Sequence, residues 1–312
     1  MTLSQSDRDR LEHVARECET PCYVYFLDDM VDRCQSLRKV FGDQLKLSYA
    51  VKSNPNVDVL QALRAAVDYF DISSIAEAEW VSQAGGSPAD CSFTGPAKRE
   101  FELRRSVSTG IREVVLEGIH EIDQLESIAA ELNQSVDVLI RINPNSAPAK
   151  FGLQMSRKPT QFGFDEEDLE TPIKRLKQCE HLNFAGWHIY AGSNCLDIEA
   201  IAENFRGMGE RFIKYSEEFS LTPRRLVFGA GFGVPYLPDE EPLTVDKIAQ
   251  SIPPILSELK NHEIIAGAEC LLELGRWIVG PSGYLITQVI GCLLYTSPSP
   301  RDQRGSRMPS SA

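Results

Sequence analysis

Short apolar runs alternate with stretches of helical periodicity between about Lys46 and Leu274. Apolar residues that recur every three or four positions mark one face of a helix, whereas short apolar runs bounded by turn residues fit buried strands. The two clearest helical faces are formed by Ile122, Leu125, Ala129 and Leu132 and by Ile198, Ile201, Phe205, Met208 and Phe212. The candidate strands are residues 47–51, 69–72, 91–93, 114–116, 136–142, 184–189, 226–228 and 270–274. The alternation predicts repeated βα units around a parallel sheet.

Eight parallel strands with intervening helices close naturally into a (β/α)8 barrel, whose active site lies at the C-terminal ends of the strands. The sequence therefore predicts an α/β protein of the TIM-barrel class. An open doubly wound sheet is the alternative, but no Gly-x-Gly-x-x-Gly follows the first candidate strand, which weakens it. The length of 312 residues fits one large domain with appendages.

Charge and composition narrow the class of partner. The formal net charge of -13 would repel phosphate backbones and anionic lipid, so we expect a small-molecule substrate, with neither nucleic acid nor membrane as a partner. The chain shows neither an apolar run of about 18 residues nor the apolar core of a signal peptide, which predicts a soluble, cytoplasmic protein. The eight cysteines lack the spacing and the nearby histidines of a zinc site, so we expect reduced thiols and no metal.

Residues whose side chains could act in catalysis or in cofactor binding cluster where the candidate strands end. Lys52 follows the first strand, Arg141 lies in the fifth, and Glu273 and Arg276 close the eighth. A glycine-rich loop at residues 229–231 follows the seventh strand, and with Arg276 it occupies the region where barrels commonly bind phosphate. A strand-end lysine or a glycine turn alone is more often structural. A phosphate site, an amine and a carboxylate at one barrel mouth together suit pyridoxal phosphate.

These segments, in this order and spacing, resemble the fold-type III pyridoxal-phosphate decarboxylases, the group of ornithine, arginine and diaminopimelate decarboxylases. The resemblance covers residues 21–290 and implies a barrel of the alanine racemase-like type. The matching segments are Tyr49-Ala-Val-Lys-Ser-Asn54, Phe70-Asp-Ile-Ser-Ser74 with Glu77, Arg141-Ile-Asn-Pro144, Gln161-Phe-Gly163, Gly186-Trp-His-Ile-Tyr-Ala-Gly-Ser193, Phe228-Gly-Ala-Gly-Phe-Gly233 and Glu273-Leu-Gly-Arg276.

The resemblance implies a role for each site residue. Lys52 would form the internal aldimine, Ser193, Gly231 and Arg276 would hold the phosphate, and Glu273 would contact the pyridine nitrogen. A carboxylate there keeps that nitrogen protonated, so the ring can accept the electron pair of a breaking carbon–carboxylate bond. Alanine racemases are expected to place an arginine there, so Glu273 favours decarboxylation. The other implied cofactor-binding residues are Asp71, Glu77, Arg141, His188, Tyr190 and Gly229.

Three positions depart from the family's usual pattern. Tyr190 replaces the histidine that stacks on the cofactor ring; tyrosine can still stack, and His188 is a secondary candidate for that role. Ala230 interrupts the glycine loop and is tolerable only if its φ is negative. Glu-Leu-Gly-Arg replaces the commoner Glu-Pro-Gly-Arg. Together these variants resemble a subgroup that acts on unusual or carrier-protein-linked amino-acyl substrates.

The resemblance also predicts the domain organisation. Residues 1–27 form an N-terminal arm whose β-like run at 23–26 has no partner strand in the chain and joins a missing C-terminal β domain. Residues 28–290 form the cofactor-binding barrel. Residues 291–312 resemble translated sequencing-adaptor read-through and are expected to be a disordered, non-native tail. The full-length protein is expected to be a homodimer, whereas the chain as written should fold poorly or aggregate and be inactive.

The leading functional hypothesis is decarboxylation of a diaminopimelate-like or carrier-linked amino-acyl substrate through Lys52. The alternatives are a non-catalytic, pyridoxal-phosphate-binding or regulatory homologue, an amino-acid racemase of the same fold, and a protein that only stores the cofactor. Loss of the lysine or of the phosphate ligands would favour the non-catalytic alternatives, and this sequence retains both.

Overall fold

The computed structural model of the protein describes residues 3–146, 151, 153–154 and 160–291. The strands are β1 Cys22–Tyr25, β2 Lys46–Ala50, β3 Tyr69–Ile72, β4 Cys91–Phe93, β5 Glu113–Leu116, β6 Val136–Asn143, β7 Leu153–Gln154, β8 Phe164–Asp165, β9 Leu182–Ile189, β10 Gly192–Ser193, β11 Arg225–Gly229, β12 Glu269–Leu274 and β13 Gly283–Ile286. The helices are α1 Gln5–Glu17, α2 Leu27–Phe41, α3 Val57–Leu63, α4 Ile75–Gln83, α5 Glu100–Thr109, α6 Ile119–Glu131, α7 Glu170–Leu176, α8 Ile198–Phe219, α9 Val245–Lys260, α10 Glu263–Ala266 and α11 Arg276–Val279.

A closed ring of parallel strands forms the centre of the fold. Strands β2, β3, β4, β5, β6, β9, β11 and β12 pair in that order, and β12 pairs with β2. A helix follows each strand of the ring, so every C-terminal strand end reaches the same mouth. The predicted (β/α)8 barrel is confirmed, and each of the predicted strands overlaps one strand of the ring.

Apolar side chains fill both faces of the ring, which explains why the strands read as continuous apolar runs. Inside the barrel, a buried layer is formed by Val115, Leu139, Ala185, Val227 and Leu271. Outside it, the apolar face predicted for α8 packs on β11: the ring centroids of Phe205 and Phe228 lie 5.4 Å apart, and those of Phe212 and Phe228 lie 5.1 Å apart. The helical period of α8 therefore marks its buried side.

A β-bulge in β9 changes which of its residues face the barrel interior. Val138 pairs with Phe184 and Leu139 pairs with Gly186, so Ala185 is an extra residue on β9. A Cβ on Gly186 would lie 1.8 Å from the carbonyl oxygen of Arg225, so the close approach of the strands requires glycine there. The extra residue resets the alternation of side chains, and both Ala185 and His188 face inward.

The chain divides into a barrel unit of residues 26–282 and a smaller unit of residues 2–25 with those from Gly283 onward. In the smaller unit β1 pairs antiparallel with β13, with Cys22 opposite Ile286 and Tyr25 opposite Gly283. The prediction that the run at 23–26 has no partner strand in the chain is therefore wrong. Its partner follows the Gly-Pro-Ser turn at 280–282 and lies more than 250 residues away in the sequence. The division falls at 25/26 and 282/283, where 27/28 and 290/291 were predicted, and residues 292–312 of the predicted tail lie outside the described residues.

The described residues contain neither a membrane-spanning helix nor a metal-binding cluster. No helix there is both long enough and apolar enough to cross a membrane. The same part of the chain has no cluster of three or more histidine, cysteine, aspartate or glutamate side chains that could hold a metal ion.

Candidate active site

Lys52 lies at the barrel mouth in a short turn, Val51–Ser53, that directly follows β2. Its Nζ donates a hydrogen bond to Oδ2 of Asp71 at 2.6 Å, and Asp71 is fully buried at the end of β3. Burial lowers the pKa of Lys52, but the negative charges of Asp71 and Glu273 outweigh it, so the pKa lies above the ordinary value of a lysine. Burial raises the pKa of Asp71, and the charge of Lys52 opposes this. The pair places an amine and a possible proton acceptor side by side.

Glu273 is a buried carboxylate on β12, close to both Lys52 and His188. Nε2 of His188 lies 3.0 Å from Oε1 of Glu273, and both side chains are almost fully buried. Burial raises the pKa of Glu273, but the contact with His188 and the charges of Lys52 and Arg141 outweigh it and hold the pKa below the usual range. An ionised carboxylate at this depth can accept a hydrogen bond from a protonated ring nitrogen.

The glycine loop after β11 is held against the Ser193 segment. The amide of Cys195 donates to the carbonyl of Gly231 at 2.9 Å, which ties the two loops together. Gly231 has φ +65°, and a Cβ there would lie 2.4 Å from Cε1 of Phe151 and 2.8 Å from the carbonyl oxygen of Gly192. Only glycine fits this position. Ala230 is not among the residues with positive φ, so the condition set for it is met.

Arg276 is exposed beside this loop, at the first position of the four-residue helix α11. Its Nη1 donates a hydrogen bond to the hydroxyl of Tyr236, and its guanidinium carbon lies 5.6 Å from the centre of that ring. Tyr236 was not predicted as a site residue, because a tyrosine in a loop carries no periodic signal. Arg276, Ser193 and Gly231 nevertheless line one cavity, as predicted for a phosphate site.

Two adjoining cavities occupy the barrel mouth, with volumes of about 460 and 470 Å³. The first contains the glycine loop and Arg276, and the second is lined by Arg141, His188, Lys98 and Phe162, among others. Four residues line both cavities: Lys52, Tyr190, Ser193 and Glu273. The structure therefore brings most of the predicted site residues to one place, with Lys52 on the boundary between the two cavities.

Two predicted site residues line neither of these cavities, and each has a structural role. Glu77 accepts a hydrogen bond from the amide of Ser73 at 2.7 Å and so fixes the turn that follows Asp71. Gly229 lies against Tyr190: a Cβ on it would be 2.4 Å from Cδ2 of that ring. Glycine at 229 therefore allows Tyr190 to reach the position where it lines both cavities.

A buried charge network behind the second cavity holds Arg141 in place. Nη1 of Arg141 donates to both carboxylate oxygens of Glu117 at 3.0 Å, and Glu117 also accepts from the amides of Gly95 and Gly163. Nζ of Lys98, beside this pair, donates to the carbonyls of Gly95 and Val115, each at 2.6 Å. Lys98 also pairs with buried Glu121 at 3.1 Å. Glu117, Lys98 and Glu121 were not predicted as site residues, although Glu117 directly follows the apolar strand β5, as other site residues follow theirs.

These groups fit pyridoxal phosphate. A cation, a hydroxyl and a glycine loop that a Cβ would obstruct line one cavity and make a candidate anion site, an amine lies at its edge, and an ionised carboxylate lies deeper. Oδ1 of Asp71 is buried and has no hydrogen-bond partner among the described residues, so this oxygen can still accept a hydrogen bond beside Lys52.

Residues 27–280 match the family described as "Pyridoxal-dependent decarboxylase, pyridoxal binding domain". The chain is 31% identical to diaminopimelate decarboxylase of Aquifex aeolicus, over 89% of this chain and 64% of that protein. It is 25% identical to L-glutamyl-[BtrI acyl-carrier protein] decarboxylase of Niallia circulans, over 91% and 66%. The crystal structure of diaminopimelate decarboxylase from Helicobacter pylori complexed with L-lysine superposes with a TM-score of 0.79 at 28% identity, covering 90% of this chain and 70% of that one. The chain thus spans just under two-thirds of the length of the first two relatives.

Proposed function

Because the chain belongs to the pyridoxal-dependent decarboxylases, we propose that it removes the carboxylate of an amino acid with pyridoxal phosphate held at Lys52. The family and the cofactor predicted from the sequence are both confirmed by the matching domain. The observation that carries the proposal is the position of Lys52 on the boundary between the anion site and the cavity that contains Arg141 and His188.

Bound pyridoxal phosphate supplies an aldehyde that condenses with amines and a ring that accepts the electron pair left by a departing carboxylate. Lys52 provides the amine, and its Nζ must lose a proton before it can attack a carbonyl. Oδ2 of Asp71, at 2.6 Å, is the adjacent acceptor for that proton, which the ion pair keeps on Lys52 in the cofactor-free chain. Arg276 and Ser193 would hold the phosphate together with the amides of the glycine loop.

Glu273 accounts for the choice of decarboxylation over racemisation. Its pKa lies below the usual range, so it is ionised at neutral pH and can hold a proton on the ring nitrogen. A protonated ring withdraws electrons most strongly, and loss of carbon dioxide needs such an electron acceptor. The racemase alternative would place a cation there. The retained Lys52 and Arg276 argue against a non-catalytic or regulatory homologue.

The substrate is proposed to be diaminopimelate-like or an amino-acyl group linked to a carrier protein. Relatives named for both substrates match about nine-tenths of the chain. The carrier-linked substrate is favoured by Tyr190, Ala230 and Leu274, which depart from the family's usual residues. Assays of carbon dioxide release from meso-diaminopimelate and from a glutamyl carrier protein would separate the two. The homodimer and the poor folding of this chain remain predictions that sizing chromatography tests.

The anchor is tested by reconstitution with pyridoxal phosphate. We expect an imine absorbance band in the wild type and no band in Lys52→Ala. Lys46→Ala is the matched control, because Lys46 begins the same strand at the opposite end of the barrel and should leave the band unchanged. Borohydride reduction followed by peptide mass spectrometry should locate the reduced adduct on Lys52. A band that persists in Lys52→Ala would show that another residue holds the cofactor.

A further inference from the structure

Strand register brings His188 and Glu273 together across β11. His188 lies on β9 opposite Val227, and Glu273 lies on β12 opposite Gly229. Val227 belongs to the interior layer of the barrel, so alternation places position 229 on the interior side as well. The imidazole and the carboxylate meet across β11, at 3.0 Å. Removal of the bulge at Ala185 would change the contact, because it sets which side of β9 faces the interior.

The two ring nitrogens of His188 have different surroundings. Nε2 faces Oε1 of Glu273, whereas Nδ1 is buried and has no hydrogen-bond partner within the described part of the chain. A proton on Nδ1 would leave a buried N–H without an acceptor and would point the Nε2 lone pair at a carboxylate oxygen. A proton on Nε2 instead satisfies the carboxylate and leaves an unpaired acceptor, which costs less than an unpaired donor. The surroundings therefore favour the neutral ring with its proton on Nε2.

The other charged groups near the pair have hydrogen-bonding partners of their own. Arg141 lies opposite His188 on β6 and is neutralised by Glu117 through two hydrogen bonds of 3.0 Å. Lys52 is hydrogen-bonded to Asp71, whereas His188 is the group that contacts Oε1 of Glu273. The remaining ionisable groups close to the pair are Asp71, which Lys52 balances, and Tyr190.

We propose that His188 is a positioning residue for Glu273: its neutral imidazole donates from Nε2 to Oε1, fixes the orientation of the carboxylate and leaves Oε2 for the cavity. The proposal rests on the proposed function for its catalytic consequence, because Glu273 is the group meant to hold a proton on the cofactor ring. The tautomer itself is a property of the cofactor-free chain. This hydrogen-bonding role differs from the role that the sequence suggested for His188, which was to stack on the cofactor ring.

The tautomer can be read from long-range ¹H–¹⁵N spectra of cofactor-free protein labelled at its 5 histidines. His188→Gln removes one set of signals and so assigns it. At a pH of about 7.5 we expect the Nε2–H tautomer for His188. His181 is the internal comparison, since its Nδ1 lies 3.0 Å from Oε1 of Glu126 and should carry the proton instead. In Glu273→Ala we expect both tautomers of His188 in exchange. An Nδ1–H or doubly protonated ring in the wild type, or an unchanged tautomer in Glu273→Ala, would overturn the proposal.

A matched pair of variants tests the consequence for catalysis. The amide nitrogen of glutamine can occupy the place of Nε2, whereas that of asparagine reaches only the place of Nδ1. We expect His188→Gln to retain kcat within a few-fold and His188→Asn to lose about 10- to 100-fold in kcat with little change in KM, the scale typical of outer partners of site residues. Equal kcat in the two variants would refute the proposal. If the chain shows no decarboxylation at all, the proposed function fails while the tautomer measurement still decides the role of His188.

Discussion

Gly231 is the position in the site where one added carbon atom should have the largest effect. Its φ of +65° lies in the left-handed region, where an L residue costs about 1–2 kcal/mol. The added Cβ of Gly231→Ala would also meet the ring of Phe151 at 2.4 Å and the carbonyl oxygen of Gly192 at 2.8 Å. The carbonyl belongs to β10, whose backbone is paired with β7, so it cannot easily move away.

Gly110 provides a control that separates these two effects. It has φ +72° and ends helix α5, but a Cβ there would have no neighbour within 4 Å. In Gly110→Ala the free energy of unfolding should therefore fall only by the conformational contribution, about 1–2 kcal/mol. In Gly231→Ala it should fall by a further ~1–3 kcal/mol, because the added Cβ overpacks the site. For a domain of this size the difference corresponds to a melting temperature lower by about 2–12 °C.

Thermal unfolding followed by circular dichroism would measure the difference between the two variants. Binding of pyridoxal phosphate and of pyridoxal, which lacks the phosphate, would show whether the damage falls on the anion site. We expect Gly231→Ala to weaken binding of the phosphorylated form selectively and Gly110→Ala to change neither affinity. Equal melting temperatures together with equal affinities would refute the view that the loop is held against the Ser193 segment.

Two further predictions concern buried charge. Lys98→Met should lower the free energy of unfolding by about 3–5 kcal/mol in urea titrations, because it leaves Glu121 buried without its cation. Lys174→Met, which removes an exposed partner of Glu170, should change it little, and equal losses would contradict the assignment. Burial raises the pKa of Glu166, but hydrogen bonds from Asn145, Tyr215 and Arg211 outweigh it and lower the pKa below the ordinary value. The folded state thus binds fewer protons than the unfolded state, so this stabilisation is present at neutral pH and is lost as the pH falls through and below the usual glutamate range. Thermal melts between neutral and acid pH should show that the melting temperature falls less steeply with pH in Glu166→Gln than in wild type or Glu167→Gln. Identical slopes in the three proteins would contradict this reasoning.

The barrel could be predicted because its signal is local and repeated. Each strand of the ring is buried on both faces and so reads as a short apolar run, as at residues 226–228. The helices bury one side only, which gives the period seen in α8. The pairing of β1 with β13 could not be read in this way, because its two strands lie more than 250 residues apart and local apolar pattern does not specify which distant strand pairs with which.

The site was predictable to the extent that its residues stand at strand ends. Lys52, Glu273 and Arg276 follow or end buried strands, and the closed ring brings such positions to one mouth. The contacts among them were not predictable, since a hydrogen bond between β9 and β12 depends on strand register. One extra residue in β9 decides whether His188 faces inward or outward. Lys98 and Tyr236 lie in loops and carry no periodic signal, whereas Glu117 directly follows β5 at a strand end.

The sequence by itself thus determined the class of fold, the kind of cofactor and most of the residues that line the two cavities, because these follow from apolar periodicity and from residue types at strand ends. Tertiary structure alone decided which partner each charged group has: Asp71 for Lys52, His188 for Glu273, and Glu117 for Arg141. Partner choice depends on distances of about 3 Å between strands far apart in sequence. Such distances arise only when the ring has closed with its register and bulge in place.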